Sequence, residues 1–174
     1  FDGLLDLQSL DADGFTLVVD NVMPRDQRVH YLALGGTDLT NSFISAITEA
    51  AGTGNQATTG VGFQPDVVLF SSGNQAGALP NNASTGGVLM LGAAKSSTNR
   101  YVWCAGTDEA SATMDTASYC IDDGCVALIP NAIGAVIDAR ADFVSMDADG
   151  FTLNWQEVIA LRRVLYLALK GGSY

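Results

Sequence analysis

An internal repeat constrains this chain more than any other feature of its sequence. Two blocks recur at nearly constant spacing, Asp11–Leu17 as Asp147–Leu153 and Tyr31–Leu34 as Tyr166–Leu169. The offsets of 136 and 135 residues define a repeating unit of about 135 residues. The repeat predicts that residues 37–174 form one complete copy, and that residues 1–36 correspond to the C-terminal quarter of a preceding copy.

The repeated segments have the pattern of strands. Apolar residues alternate in Phe151–Trp155 and in its counterpart Phe15–Val19, and the Asp-Ala-Asp-Gly before each predicts a turn. Further strands are predicted at Val67–Phe70, Val88–Leu91, Tyr101–Cys104, Tyr119–Ile121, Cys125–Ile129 and Val164–Leu169. Gly52–Gln56 lacks the lysine of a phosphate-binding loop and is interpreted as an ordinary loop. Short strands separated by Gly, Asn and Asp predict an all-β fold, an antiparallel β-sandwich of the jelly-roll-like kind.

Several predicted strands are apolar on both faces. In the last strand, alternate side chains point to opposite faces, with Val164, Tyr166 and Ala168 on one and Leu165, Leu167 and Leu169 on the other. A strand with one wet face would instead alternate apolar and polar residues. We therefore expect such strands to be covered on both sides, by a second layer of the same chain or by a neighbouring subunit. A thick, self-contained sandwich is the alternative.

The charge balance excludes two classes of partner. Nineteen acidic residues against eight basic ones give a formal net charge of −11. Nucleic-acid binding requires clustered Lys and Arg, which this chain lacks, and an anionic membrane surface repels an acidic protein. The apolar runs fall short of the ~20 residues that span a bilayer, and no secretion signal is expected. Direct contact with nucleic acid or membrane is therefore not expected.

Nucleophilic chemistry has little support in the sequence. His30 is the only histidine, so any Ser-His-Asp or Cys-His arrangement would have to use it. Its counterpart in the complete copy is Leu165, which favours a packing role, and no catalytic residue is predicted. Cys120 and Cys125 flank Ile-Asp-Asp-Gly, a tight turn predicted between two strands. Free, partly buried thiols are favoured there over a disulfide across the turn.

Paired acidic residues come closest to a metal site. The weak candidates are Asp11, Asp13, Asp147 and Asp149, which resemble the start of a calcium-binding loop. A complete EF-hand loop distributes oxygen ligands over twelve residues, whereas Phe-Thr-Leu follows directly here. Turn formation is the favoured interpretation of these residues. Calcium bridging between subunits is the alternative, and no other cofactor is expected.

Trp103 and the long segment 71–87 are the candidates for binding or assembly. An exposed Trp103 would suit sugar stacking as well as contact with a neighbour. The segment is the longest predicted loop and contains Asn74, Asn81 and Asn82. Long loops at the rim of a sandwich often make functional contacts.

A family resemblance is carried by four segments, GNQATTGVGFQPDVVLF, SSTNRYVWCAG, ADFVSMDADGFTLNW and YLALKGGSY. Together they resemble tailed-bacteriophage virion structural proteins that are built of tandem β-sandwich repeats. The resemblance covers residues 37–174, and residues 1–36 match the end of a preceding repeat. It implies a non-enzymatic virion protein, placed on the capsid exterior as decoration or cement, or in the tail and its fibres.

The expected partners are copies of the chain itself and other virion proteins, assembled in the host cytoplasm. A function of a different class is the alternative, namely a glycan-binding sandwich at a fibre tip or a cell surface.

Overall fold

The computed structural model describes residues 4–22, 29, 31–73, 87–108, 115–129, 136–159 and 161–172. Internal contacts divide the chain into Phe1–Leu34, here called unit 1, and Gly35–Tyr174, here called unit 2. In unit 1, β1 (Leu4–Asp11) and β2 (Gly14–Asn21) form an antiparallel hairpin. The two units are described separately below.

The described part of unit 2 contains ten strands. They are β3 (Leu39–Thr48), β4 (Gly54–Thr58), β5 (Val67–Ser72), β6 (Gly87–Ser96), β7 (Asn99–Asp108), β8 (Asp115–Ile121), β9 (Val126–Leu128), β10 (Ala139–Asp147), β11 (Gly150–Glu157) and β12 (Arg163–Gly171). One sheet has the order β4-β11-β10-β9, and the other has the order β3-β12-β5-β6-β7-β8. Every strand pair is antiparallel. The predicted all-β antiparallel sandwich is confirmed.

The two sheets of unit 2 face each other across an aromatic core. Phe151 of the four-stranded sheet meets Phe70 and Tyr166 of the six-stranded sheet edge to face, at centroid distances of 5.6 and 5.1 Å. Such geometry matches the negative face of one ring to the positive edge of another. Trp155 is completely buried, on the same side of β11 as Phe151 and Leu153. Its Nε1–H donates to Gln56 Oε1 at 2.7 Å, so the indole loses no hydrogen bond on burial.

A glycine permits the closest approach of the two layers. A Cβ added at Gly92 on β6 would lie 2.0 Å from the carbonyl oxygen of Cys125. Cys125 begins the segment that enters β9, so the Ile-Asp-Asp-Gly stretch crosses from one sheet to the other. The predicted tight turn is therefore not a hairpin. All three cysteines are free thiols, so no disulfide joins Cys120 to Cys125.

Two strands of unit 2 contradict or extend the sequence interpretation. The loop interpretation of Gly52–Gln56 is wrong in part, because Gly54–Thr58 pairs with β11 along its whole length. The segment is polar and carries no strand pattern of its own, so the pairing with β11 decides its conformation. Leu39–Thr48 was not predicted, and it forms an edge of the six-stranded sheet next to β12.

Candidate assembly surface

An apolar surface covers the outer side of the six-stranded sheet in unit 2. Strand register places side chains in two rows, Ile44, Leu167, Leu69, Ala93 and Tyr101 in the first and Ala46, Leu165, Ser71, Leu91, Trp103 and Cys120 in the second. Leu89, two residues before Leu91, continues the same side. We call these residues together the outer apolar face. It runs across all six strands, and none of these residues is charged. Alternation places two charged residues on the same side, Lys95 at the end of β6 and Arg163 at the start of β12.

The large side chains of this face are open to solvent. Ile44 is 76% exposed, Tyr101 56%, Leu91 51%, Leu165 47% and Trp103 41%. Monomeric soluble proteins rarely expose contiguous apolar patches of more than a few hundred Å², and larger ones mark interaction sites. Side chains on six neighbouring strands are therefore a stronger signal than the same residues scattered over a surface.

The other sheet of unit 2 provides an internal contrast. Its outer side presents Asn55, Ala57, Thr152, Asn154 and Gln156, and Asn154 Nδ2 donates to Asn55 Oδ1 at 2.8 Å. This side is polar, as expected of a sandwich surface in water. Of the two sheets described in unit 2, only the six-stranded one has a mainly apolar outer side in addition to its apolar inner side. The composition of the chain as a whole therefore does not explain the outer apolar face.

The strand β12 shows how the sequence encodes this arrangement. Val164, Tyr166 and Ala168 point inward and are buried, as their parity predicts. Leu165 points outward and is about half exposed, whereas Leu169 is only 3% exposed. The prediction that such strands are covered on both sides holds for the inward side. On the outward side, Leu165 and Leu91 have no covering layer among the residues that the structure describes.

Trp103 lies on β7, next to the edge strand β8, with Leu91 beside it on β6 and Cys120 beside it on β8. Sequence reasoning singled out Trp103 but missed its neighbours on the adjoining strands. The available signal was that Val88–Leu91 and Tyr101–Cys104 are apolar on both sides of the strand. Considering Trp103 as a single residue does not reveal this pattern. The other assembly candidates, Asn74, Asn81 and Asn82, lie outside the described residues, and so does His30.

The candidate metal ligands are engaged in hydrogen bonds of the turns. In unit 1, Asp11 accepts hydrogen bonds from the Ser9 and Thr16 hydroxyls at 2.9 and 2.8 Å. In unit 2, Asp147 accepts the equivalent bonds from Ser145 and Thr152 at 2.7 and 2.6 Å. Both carboxylates lock the bulge and turn of their own hairpin, which is a structural use of aspartate.

Asp149 has a different role in the same turn of unit 2. Its carboxylate accepts the backbone N–H groups of Gly60 at 2.9 Å and Gly62 at 2.6 Å. These two bonds favour the charged form and lower the pKa of Asp149 below its usual value. Asp13, its counterpart in unit 1, is exposed. Over the described ranges, no three His, Cys, Asp or Glu side chains converge as a metal site would require.

Polar residues of the Gly-Phe-Gln-Pro-Asp segment connect the layers of unit 2. Gln64 Nε2 donates to the carbonyl oxygen of Met146 on β10 at 2.8 Å. Asp66 N–H donates to Leu169 O at 2.8 Å, and Gly171 N–H donates to Asp66 Oδ2 at 2.7 Å. This motif thus ties the chain entering β5 to strands of both sheets. Its polar groups serve the fold.

An ion-pair cluster also joins the two sheets. Arg100 on β7 forms a salt bridge with Asp142 on β10, and Asp142 raises the pKa of the guanidinium further. Arg140 pairs with Asp123 and lowers the pKa of that carboxyl. Arg100 Nη2 also donates to the Asp123 carbonyl oxygen at 3.2 Å. The cluster fixes the crossing segment 122–125 between the two sheets, and its charges are matched in pairs.

Unit 2 also has one shallow depression of about 330 Å³ at the ends of β6 and β7. Its described lining consists of Gly87, Val88, Leu89, Ala105, Gly106, Thr107 and Thr116. None of these side chains titrates or carries a charge. The lining therefore offers no acid, base or metal ligand for chemistry.

Comparison with protein-family models, curated proteins and solved structures finds no match to this chain. In the described part of the chain, no helix has the length and apolarity needed to cross a bilayer.

Proposed function

We propose that this chain is a non-enzymatic structural subunit of a tailed-phage particle. Its place is on the capsid exterior, as decoration or cement, or in the tail and its fibres. The observation that carries the assembly role is the outer apolar face, whose exposed apolar side chains extend over six strands. The phage assignment is supported by the resemblance of the four sequence segments to virion repeat proteins.

The size of the face suits an assembly in which each subunit makes several contacts. Full burial of one large apolar side chain contributes about 1.5–3 kcal/mol. The five large exposed residues named above and Leu89, which is 46% exposed, are already about half covered. Burying the rest of these six side chains contributes roughly 5–9 kcal/mol. Association itself costs an estimated ~4–15 kcal/mol. One such face therefore sustains a weak pairing alone, and a stable one when a lattice engages several surfaces at once.

The acidic balance fits this arrangement. Repulsion between subunits of net charge −11 opposes random aggregation. Two subunits that meet through the outer apolar face bring few like charges into direct contact. The face thus selects which side of the subunit is buried. It acts through shape and desolvation and needs no catalytic group.

The first experiment follows the chain through density-gradient fractionation of its source by peptide mass spectrometry. Co-sedimentation with DNA-filled particles at many copies supports capsid decoration, and a few copies per particle support the tail or fibre. Recovery only among free proteins would refute the virion assignment.

A native thiol reports on the face itself. Cys120 is exposed and lies next to Trp103, so a maleimide should label it in the free protein. In intact particles we expect that labelling to be lost, and to return when the particles are dissociated. An Ala57→Cys variant, placed on the polar side of the other sheet, is the matched control and should label in both states. Equal labelling of Cys120 in free protein and particles would contradict the proposal.

Glycan binding is the second candidate, favoured by one observation. Trp103 and Tyr101 are both exposed, and they lie two residues apart on the same side of β7. Aromatic faces stack on sugar rings, but sugar hydroxyls also need polar partners. Besides the Tyr101 hydroxyl and the Trp103 indole N–H, the two rows offer only Ser71 and the Cys120 thiol.

Two substitutions separate the candidates. Trp103→Ala removes the aromatic surface and should abolish binding to a glycan array if the second candidate is correct. Leu91→Glu places a charge in the apolar face and should block particle incorporation if the first is correct. Ala57→Glu adds the same charge on the other sheet and should change neither result. A Leu91→Glu protein that incorporates normally would refute assembly through this face.

A further inference from the structure

The hairpin of unit 1 reproduces the hairpin β10–β11 of unit 2 in detail. The registers Leu5↔Val19, Leu7↔Leu17, Ser9↔Thr16 and Asp11↔Gly14 match Ala141↔Trp155, Phe143↔Leu153, Ser145↔Thr152 and Asp147↔Gly150. Both hairpins have their irregularity at the same step, and both use an aspartate that accepts from a serine and a threonine. Two segments of one chain therefore adopt the same local structure.

The likeness extends beyond the hairpin to an aromatic contact. Phe15 and Tyr31 of unit 1 meet edge to face at 4.9 Å and 78°. Their counterparts Phe151 and Tyr166 meet at 5.1 Å and 80° across the core of the sandwich. Unit 1 thus keeps a contact that, in unit 2, joins the four-stranded sheet to the six-stranded one.

The environments of the two hairpins differ completely. Leu7, Leu17 and Val19 are 60%, 37% and 55% exposed, whereas their counterparts Phe143, Leu153 and Trp155 are 1%, 0% and 0% exposed. In unit 2, the residues that bury this side belong to strands β3–β9 and to β12. Unit 1 presents the same apolar side with no such layer among its described residues.

Gly14 of unit 1, and Gly35 directly after unit 1, correspond to two glycines that make close backbone contacts in the complete copy. A Cβ at Gly150 would lie 2.0 Å from Thr58 O of β4, and one at Gly171 would lie 2.0 Å from Asp38 O, which precedes β3. At the corresponding Gly14 and Gly35 nothing lies within 4 Å. Gly150 and Gly171 are therefore at two places where neighbouring segments of the complete sandwich approach each other closely.

We propose that β1, β2 and Tyr31–Leu34 bind the body of another repeat of this type, supplied from outside residues 1–174. That body is a set of seven strands with the pattern of residues 37–137, which contain β3–β9. The body in this chain is already filled by its own β10–β12, so it is not free to cover unit 1. The inference rests on the proposed assembly function and names a second contact for it, on a different surface from the outer apolar face.

The test is a fusion in which residues 37–136 are added directly ahead of Phe1 of the full chain. This join reproduces the spacing between body and hairpin in the complete copy, since residue 137 corresponds to residue 1. Hydrogen exchange is then read at the amides of β1 and β2. We expect protection to rise at least ~100-fold over the unfused chain, the difference between local opening and global unfolding.

Three variants of the fusion test the contact. Leu17→Asp puts a charge where Leu153 is buried and should remove the added protection. Val18→Asn introduces the residue that stands at the corresponding position 154 and should keep it. Gly14→Ala should leave the unfused chain unchanged but lower the protection in the fusion, because its Cβ meets the added copy of β4.

The outcomes that overturn the inference are distinct. An unchanged exchange rate in a fusion whose unit 2 is folded would refute it, and so would protection that survives Leu17→Asp. Protection that appears in the unfused chain and grows with protein concentration would assign the surface to a second copy instead. None of these results bears on Cys120 labelling, so the proposed function is tested separately.

Discussion

Gly150→Ala should destabilise unit 2 severely, whereas the same change at Gly14 should be harmless. Gly150 has a φ of +148°, and its added Cβ would lie 2.0 Å from Thr58 O and 3.0 Å from Thr58 C. The backbone strain costs on the order of 1–3 kcal/mol, and overpacking adds about 1–3 kcal/mol. Strand β4 cannot retreat freely, because Asp149 binds the N–H groups of Gly60 and Gly62 just after it. We therefore expect a loss of roughly 3–5 kcal/mol.

Urea denaturation followed by tryptophan fluorescence measures this loss, since Trp103 and Trp155 both belong to unit 2. With a urea m-value of ~2 kcal/mol/M, the midpoint should fall by roughly 1.5–2.5 M. Gly14→Ala should leave that midpoint unchanged, and it should also leave amide exchange in β1–β2 unchanged. A midpoint shift below about 0.5 M for Gly150→Ala would refute the close contact between this turn and β4.

Three further results follow from the structure. Glu49 is buried, and its carboxylate accepts the N–H groups of Ile159 and Arg162 in the connection into β12. Glu49→Ala should therefore lower the free energy of unfolding in urea by about 3 kcal/mol or more. A loss under ~1 kcal/mol would contradict this role. Because the pKa of Asp149 is lowered in the folded state, its ionised carboxylate stabilises the fold above the usual carboxyl pKa, and this contribution is lost as pH falls below ~4. Asp149→Asn should therefore reduce the decrease of unfolding free energy at acid pH, whereas Asp13→Asn should not. In the native protein a thiol reagent at pH 8 should modify Cys120 alone, because Cys104 and Cys125 are buried and burial raises the pKa of their thiols. Rapid modification of all three cysteines would contradict that burial.

The sequence predicted the strands whose apolar pattern is local. Phe151–Trp155 alternates cleanly, and its inward residues are the buried ones. The parity of Val164–Leu169 likewise divided these residues correctly between two faces, but it did not say which face is inward. Strands that depend on a neighbour were missed: β4 is a polar pentapeptide, and in the edge strand β3 apolar residues do not alternate regularly with polar ones. For these strands the pairing partner supplies the free energy, and the partner lies about 100 residues away in the chain.

The sequence predicted separate components of the outer apolar face but not the face itself. Two-sided apolar strands indicated a covering layer, and Trp103 was chosen as a binding residue. The register that brings Trp103 beside Leu91 and Cys120, and Leu165 into the same row, is a property of the paired sheet. Glu49 had no sequence signal at all, because a single buried glutamate resembles a surface residue until its N–H donors are in place.

The tetrapeptide Tyr-Leu-Ala-Leu shows most directly why neighbours decide these questions. At Tyr166–Leu169 it is a central strand, paired with β3 on one side and with β5 on the other. At Tyr31–Leu34 the same four residues pair with no strand in the part of the chain that the structure describes, and Tyr31 and Leu32 are 72% and 75% exposed. Intrinsic propensity is identical in the two places, so the difference measures the contribution of the flanking strands. A segment that keeps the pattern of a central strand without its partners is therefore a site where strands of that kind would bind.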